Sequence, residues 1–211
     1  MAKVSDAHLE ARRQSILDAA MAVFSRKGYQ QATMADVATE AGISPGAIYR
    51  YFDSKVDLVH QCFHMSAATV ADEWSHSTAP ARDGFHALGM IAQKSFAEIV
   101  EPDAGIFTVM MLEQALDAAR PGNDATRASV NAEQEVLISE LQKVIQRAID
   151  DGSLSVELNA YHLAGALMAF YQGARLARLT NPETDVQAQL GEVHKLLTLA
   201  HEHAQATEPK R

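Results

Sequence analysis

From Ser44 to Lys55 the chain reads SPGAIYRYFDSK. Tyr49, Arg50 and Tyr51 stand next to one another, with Gly46 and Ala47 just before them and Lys55 just after. These groups do not make a nucleophile with its base, nor a loop that could cradle a nucleotide phosphate. A guanidinium has the fork geometry that matches the N7 and O6 acceptors of guanine. A phenol can bond a phosphate oxygen and pack its ring on a sugar or a thymine methyl. Glycine and alanine add little bulk, so the backbone beside them can come close to base edges. The chemistry on offer is recognition of double-stranded DNA.

Such a set works only if helices hold it. From His8 to Lys27, Ile16, Leu17, Ala20, Val23 and Phe24 recur at helical spacing, and Gly28 can close that helix in the left-handed region. Thr33 followed by Asp36 reads as a capping box, opening a short helix that carries Val37, Ala38 and Ala41. Gly42 breaks it. Ser44 then caps a further helix with Pro45 at its first position, where the missing N–H costs nothing. Two short helices joined by a tight glycine turn make a helix-turn-helix, whose second helix enters the major groove. In a helix starting at Pro45, Ile48 and Phe52 face inward. Gly46 and Arg50 lie opposite, flanked by Ala47 and Tyr49. Thr33 and Lys55 each stand at a helix start, where free N–H groups and the dipole favour phosphate.

The segment from Gly28 to Leu58 resembles the TetR (tetracycline-repressor-like) family of transcription regulators. The resemblance rests on Gly28-Tyr29, Thr33, Val37-Ala38, Ala41-Gly42-Ile43-Ser44, Gly46, Ile48-Tyr49, Tyr51-Phe52, Lys55 and Leu58. It implies a homodimeric repressor whose C-terminal domain binds a small-molecule inducer. It also implies DNA contacts from Thr33, Pro45, Gly46, Ala47, Tyr49, Tyr51 and Lys55; Ser44 and Arg50 join that set from their own positions. Some members read a base from the second helix with arginine where this chain has Ala35. Direct reading here therefore leans on the third helix.

The net charge of -9 is no obstacle. Residues 1–60 are neutral, and the whole acidic excess falls in residues 61–211. An acidic remainder weakens indiscriminate binding to nucleic acid. No apolar run is long enough to span a membrane, the N-terminus lacks the core of a signal peptide, and the lone Cys62 cannot form an internal disulfide. The expected location is the cytoplasm.

Beyond residue 55 every long segment reads as helix. A fourth helix opens at Ser54 and Asp57 and runs to about Ser77. Further helices are expected near 82–100, 103–119, 124–150, 156–180 and 184–204, punctuated by Pro80, Pro102, Pro121, Gly152 and Pro182. The tail after about Ala204 is polar. The expected fold is all-α with about nine helices: a three-helix DNA-binding domain over 8–55, its motif at about 33–52, and a larger ligand-binding and dimerisation domain over 56–204.

In that second part, LAGALMAFYQGARLARL is apolar around nearly its whole circumference. Leu163, Leu167, Phe170 and Ala174 are expected to pack on the chain's own core. Gly165, Ala169, Gly173 and Leu176 would form a dimer face, joined by Leu190, Val193 and Leu197 of the last helix. For an inducer site the candidates are Met110, Glu113, Tyr171 and Arg175. Met65, Met90, Met111 and Met168 are further adaptable wall residues, or plain core. Glu113 lies on an otherwise apolar stripe and needs a partner, either an internal cation or a ligand. His60 and His64 have metal-ligand spacing, but no third ligand is evident and no metal site is assigned. No cofactor fingerprint or catalytic constellation is present.

The reading is a sequence-specific transcriptional repressor that binds an operator in duplex DNA and is released by a small molecule, with the fourth helix linking the two domains. An activator or a regulator answering a protein partner is the alternative in the same class. An enzyme carrying a vestigial DNA module is the alternative in another.

Overall fold

The computed structural model describes residues 6–101 and 104–207. Residues 1–5, Pro102 with its neighbour, and residues 208–211 lie outside the described part. So do the start of the N-terminal stretch read for a signal peptide and the end of the polar tail. Eight α-helices and one 3₁₀ turn, with no strand, make up the described residues. They are α1 (Asp6–Lys27), α2 (Met34–Glu40), the 3₁₀ turn (Ile48–Arg50), α3 (Lys55–Thr78), α4 (Gly84–Glu98), α5 (Ala104–Ala118), α6 (Asp124–Asp150), α7 (Ala160–Thr180) and α8 (Val186–Thr207). The all-helical reading holds, but its third helix does not form as expected: the segment from Pro45 is a turn closing into one 3₁₀ turn, with Ala47 as the cap and no side-chain cap. The bonds Ala47 N to Ser44 O and Arg50 N to Ala47 O are of the i→i+3 kind, the tighter geometry of a short piece.

The chain divides into two compact units. One comprises the chain up to Ala67 together with Val109–Glu133; the other comprises Ala68–Thr108 and the chain from Gln134 onward. The boundary drawn at 55/56 coincides with the start of α3, whereas the units divide within α3, α5 and α6.

In the first unit the stripe Ile16, Ala20, Val23 and Phe24 of α1 is buried, as are Val37, Ala38, Ile48, Phe52, Leu58 and Val59. Gly28 and Gly42 both take positive φ, which ends α1 and turns the chain out of α2 at little cost. In the second unit α4, α6 and α7 enclose Leu88, Ile91, Leu141, Ile145, Ala148, Ala164 and Met168. Gly84 is the contact point of α4 with α6: a Cβ there would overlap the Ala148 backbone. Asp151 accepts from Gly84 N at 2.7 Å and Ser153 Oγ from Phe85 N at 3.1 Å, which tie the start of α4 to the end of α6.

Candidate DNA interface and ligand cavity

Ile48 and Phe52 are fully buried and anchor the turn, while Tyr49 is 55 % exposed and Arg50 is exposed beside it. Ser44, Pro45 and Gly46 are also exposed, and the space next to Gly46 is open. The 3₁₀ turn thus presents Tyr49 and Arg50 away from the buried pair. Tyr51 is half-buried, and its carbonyl accepts from Arg13 Nη1 at 2.9 Å. The same guanidinium lies 4.6 Å from the Phe52 ring centroid. Arg13 therefore clamps the turn from α1, a role the sequence reading missed. The available signal was its position one helical turn ahead of Ile16 and Leu17 on the buried stripe.

At the start of α2, the Thr33 hydroxyl accepts from Asp36 N at 3.1 Å and donates to Asp36 Oδ2 at 2.9 Å. Lys27 Nζ reaches Asp36 Oδ1 at 2.6 Å. The bond from Lys27, with help from Thr33, pulls the Asp36 carboxyl down to about 2. The capping box forms, but the Thr33 hydroxyl proton is directed to Asp36 rather than outward. Lys55 departs further from its expected role. Its ammonium donates to Ala32 O at 2.8 Å and Gln30 O at 3.4 Å, and stands 4.2 Å from the Tyr29 ring centroid. Burial lowers its pKa. An ammonium has three donors, so at most one is left for a phosphate. The carbonyls of the loop before α2 need partners, and Lys55 supplies them.

Glu113 belongs to the first unit and faces this same loop. Its Oε1 accepts from Gln30 Nε2 at 3.2 Å, and its Oε2 is buried without a hydrogen bond, as are His60 Nε2 and Gln114 Nε2. Burial raises the Tyr29 pKa, with Asp117 and Glu113 adding to it, and burial lowers that of His60 against the pull of Asp57 and Asp117. Of the two partners expected for Glu113, an internal cation or a ligand, the structure gives the Gln30 amide a bond to it and sets its charge near Tyr29 and Lys55. Met110 is buried on the same helix. Cys62 is fully buried with Sγ 3.8 Å from Leu17 O, and burial pushes its thiol up to about 12, which makes it an inert thiol.

The second unit contains a cavity walled by Trp74, Phe85, Ile91, Phe96, Leu141, Leu167, Met168, Phe170, Tyr171, Leu190, Val193 and Leu197, with Ser95 and His194 as further polar members besides Tyr171. Its atom-free space is about 650 Å³ including the open mouth. Of the four expected inducer residues Tyr171 lines this cavity; Met110, Glu113 and Arg175 do not. Arg175 lies just behind Tyr171. It is buried, donates from Nε to Thr108 Oγ1 at 3.1 Å, and packs 4.8 Å from the Phe107 ring centroid and 5.7 Å from that of Tyr171.

On α7, of the residues expected to pack on the chain's own core, Ala174 is buried and Leu163, Leu167 and Phe170 are half-buried, while Ala164 and Met168 are buried beside them; Ala169, Gly173 and Leu176 are exposed, and Gly165 is half-buried. On α8 the residues expected at the dimer face are half-buried. Leu190, Val193 and Leu197 line the cavity, while Leu196 and Leu199 are 67 % and 61 % exposed. Both stripes of α8 have helical spacing, and spacing alone does not say which one meets the chain's own core.

Residues 16–62 match the family model described as bacterial regulatory proteins, tetR family. The HTH-type transcriptional repressor KstR of Mycobacterium tuberculosis is 30 % identical over 189 residues, covering 88 % of this chain and 80 % of that protein. The chain belongs to the TetR family. The fatty acid metabolism regulator protein of Bacillus subtilis is 24 % identical over 144 residues, 68 % of this chain and 71 % of that protein. The fold of this TetR-family chain is also that of the transcriptional regulator FadR from Bacillus subtilis, solved in complex with stearoyl-CoA. That match has a TM-score of 0.72 at 21 % identity, covering 89 % of this chain and 98 % of that one. This TetR-family chain is a DNA-binding transcriptional regulator. No helix among its described residues is long and apolar enough to cross a membrane.

Proposed function

We propose that this regulator is a repressor that holds its operator as a homodimer and leaves it when a small molecule fills the cavity of the second unit. The observation that carries the reading is one chain holding both a helix-turn-helix with Tyr49 and Arg50 outward and an apolar cavity in a separate compact unit. Tyr49, Arg50, Tyr51 and the chain from Ser44 to Ala47 make the DNA face. Arg50 reads a base edge and Tyr49 grips the backbone. Thr33 and Lys55 act mainly by fixing the loop and helix start beside that face, with one Lys55 donor left for phosphate. The name of the relative KstR, a transcriptional repressor, supports repression, and the structure of FadR in complex with stearoyl-CoA supports a small-molecule ligand. The exposed apolar residues Leu176, Leu196 and Leu199, with Gly173 and Ala169, support a dimer built on α7 and α8.

Helices α3, α5 and α6 each contribute residues to both units. A ligand that favours one arrangement of these helices lowers DNA affinity by population shift, because operator half-sites want recognition elements about 34–36 Å apart. The test is a gel shift with the DNA upstream of the chain's own gene. A sequence-specific shift that a ligand abolishes is expected. No sequence-specific shift on any fragment of that region overturns the reading and favours the alternative of a small-molecule enzyme.

A further inference from the structure

Trp74, Phe96, Phe170 and their aliphatic neighbours make most of the cavity wall, and Phe96 stacks on Phe170 at 5.4 Å. A ligand body here gains by leaving water. None of the described residues lining the cavity carries a carboxylate, an ammonium or a guanidinium. A formal charge drawn fully inside would give up its hydration for neutral hydrogen bonds at most. One wall residue breaks the apolar pattern. On α4 the buried positions Leu88 and Ile91 are followed at helical spacing by Ser95, where another aliphatic side chain would continue the stripe. Ser95 is 8 % exposed, so its hydroxyl does not turn out to bulk water. Nor does it fold back along its helix. The hydroxyls of Thr78, Thr108 and Thr198 each donate to the carbonyl four residues earlier, at 2.7, 2.8 and 3.0 Å. Ser95 Oγ makes no such bond, and no other to a described residue. The indole N–H of buried Trp74 is likewise without a bond to a described residue. Polar groups in protein interiors are hydrogen-bonded as a rule, so a hydroxyl held in an apolar wall calls for a partner from outside the chain.

We infer that the cavity takes a neutral molecule of mainly hydrocarbon character with one hydroxyl or carbonyl oxygen, and that this oxygen bonds the Ser95 hydroxyl. Serine both donates and accepts, so it meets either oxygen function. A donor alone, such as the Trp74 indole, could only reinforce a bond to the same oxygen. This inference rests on the cavity being the ligand site of the proposed repressor. It adds the class of ligand and the residue that recognises its polar end.

The chain carries its own reporter, because Trp74 is its single tryptophan and lies on the cavity wall. The full-length protein, without DNA, is titrated at neutral pH with tert-butylbenzene, para-tert-butylphenol and para-tert-butylbenzoate while Trp74 emission is read. The phenol is expected to bind at least as tightly as the hydrocarbon although water holds it better, and the benzoate about tenfold more weakly than the phenol. Ser95→Ala removes one oxygen. It is expected to raise the Kd of the phenol about fivefold, the size of one neutral hydrogen bond, and to leave the Kd of the hydrocarbon and the melting temperature unchanged. A serine with only a structural role would move both Kd values together or neither, and either result overturns the inference. So does a benzoate that binds as tightly as the phenol, or silence of Trp74 with every compound. Operator release is scored separately with labelled DNA. The selective Ser95→Ala loss without release supports the ligand class and overturns the inducer reading, whereas release by the phenol without a Trp74 change overturns the assignment of this cavity.

Discussion

Arg50 is exposed two residues after a fully buried Ile48, on the face proposed to meet DNA. Arg50→Ala is expected to cost about 1–3 kcal/mol on the true operator and far less on random DNA, because a bidentate guanine contact discriminates by that much. Selection of binding sites by both proteins decides it: identical preferred sequences with uniformly weaker binding would make Arg50 a phosphate contact. Lys55 calls for a different forecast. Two of its donors hold Gln30 O and Ala32 O, so Lys55→Ala should lower stability as well as DNA affinity, and the salt dependence should flatten by no more than about one counterion. Urea melts separate the two effects; an unchanged melt would mean those carbonyl bonds are dispensable. Glu133 gives a pH test. It is 8 % exposed, and burial raises its carboxyl to about 7 against the one opposing bond from Ser129. A carboxyl with a raised folded pKa favours folding below its unfolded value and loses that contribution as pH climbs through about 7. Glu133→Gln should therefore gain on the parent by about 2 kcal/mol between pH 5 and pH 8, read as a difference of urea melts. Equal slopes for the two proteins would mean that Glu133 finds a partner on opening to solvent. Among site residues, Tyr49 and Arg50 were legible because a local turn decides their direction. Lys55, Glu113 and Arg13 were not, since their partners lie far along the chain and no local pattern names them.

The helices themselves were legible where local chemistry starts and stops them. Thr33 with Asp36 opens α2, Gly28 and Gly42 take positive φ, and α6 and α7 fall close to the segments their apolar spacing marks out. The segment after Pro45 was harder. Its cap signals promise a helix, but the bonds that form there, Arg50 N to Ala47 O and Tyr51 N to Ile48 O, are of the i→i+3 kind, and it tightens to 3₁₀. The faces of α8 were hidden for another reason: Leu190, Val193 and Leu197 form one apolar stripe and Leu196 with Leu199 another, so burial follows from the position of α4 and α7. Gly84 had no sequence signal at all, and its importance comes from the approach of Ala148. Gly84→Ala forces backbone apart at that contact and should cost about 1–3 kcal/mol, lowering the melting temperature by several degrees. Its effect on DNA binding at low temperature should be small, because the α4–α6 contact is confined to the second unit. A melting temperature equal to the parent's would show that the two helices can separate freely there.

For the molecule as a whole, the decisive question is whether two chains act together on one operator. Gly173 is the cleanest place to ask it. It is exposed on α7, and a Cβ built there meets nothing within 4 Å in its own chain. Gly173→Leu therefore leaves the single chain's packing alone, and it replaces the weakest helix former but proline with a good one. Helix content should be unchanged. At a close two-fold contact the same side chain appears twice, once from each protomer, and overpacks the interface. Neighbouring Leu176 at 42 % exposed shows how much apolar surface this face has to offer a partner. Sedimentation of the variant should show a folded monomer. Loss of the linked second half-site should then weaken binding to a palindromic operator by about 10²-fold or more, while binding to an isolated half-site stays the same. A variant that sediments as a dimer and binds the palindrome normally would move the interface off this face of α7.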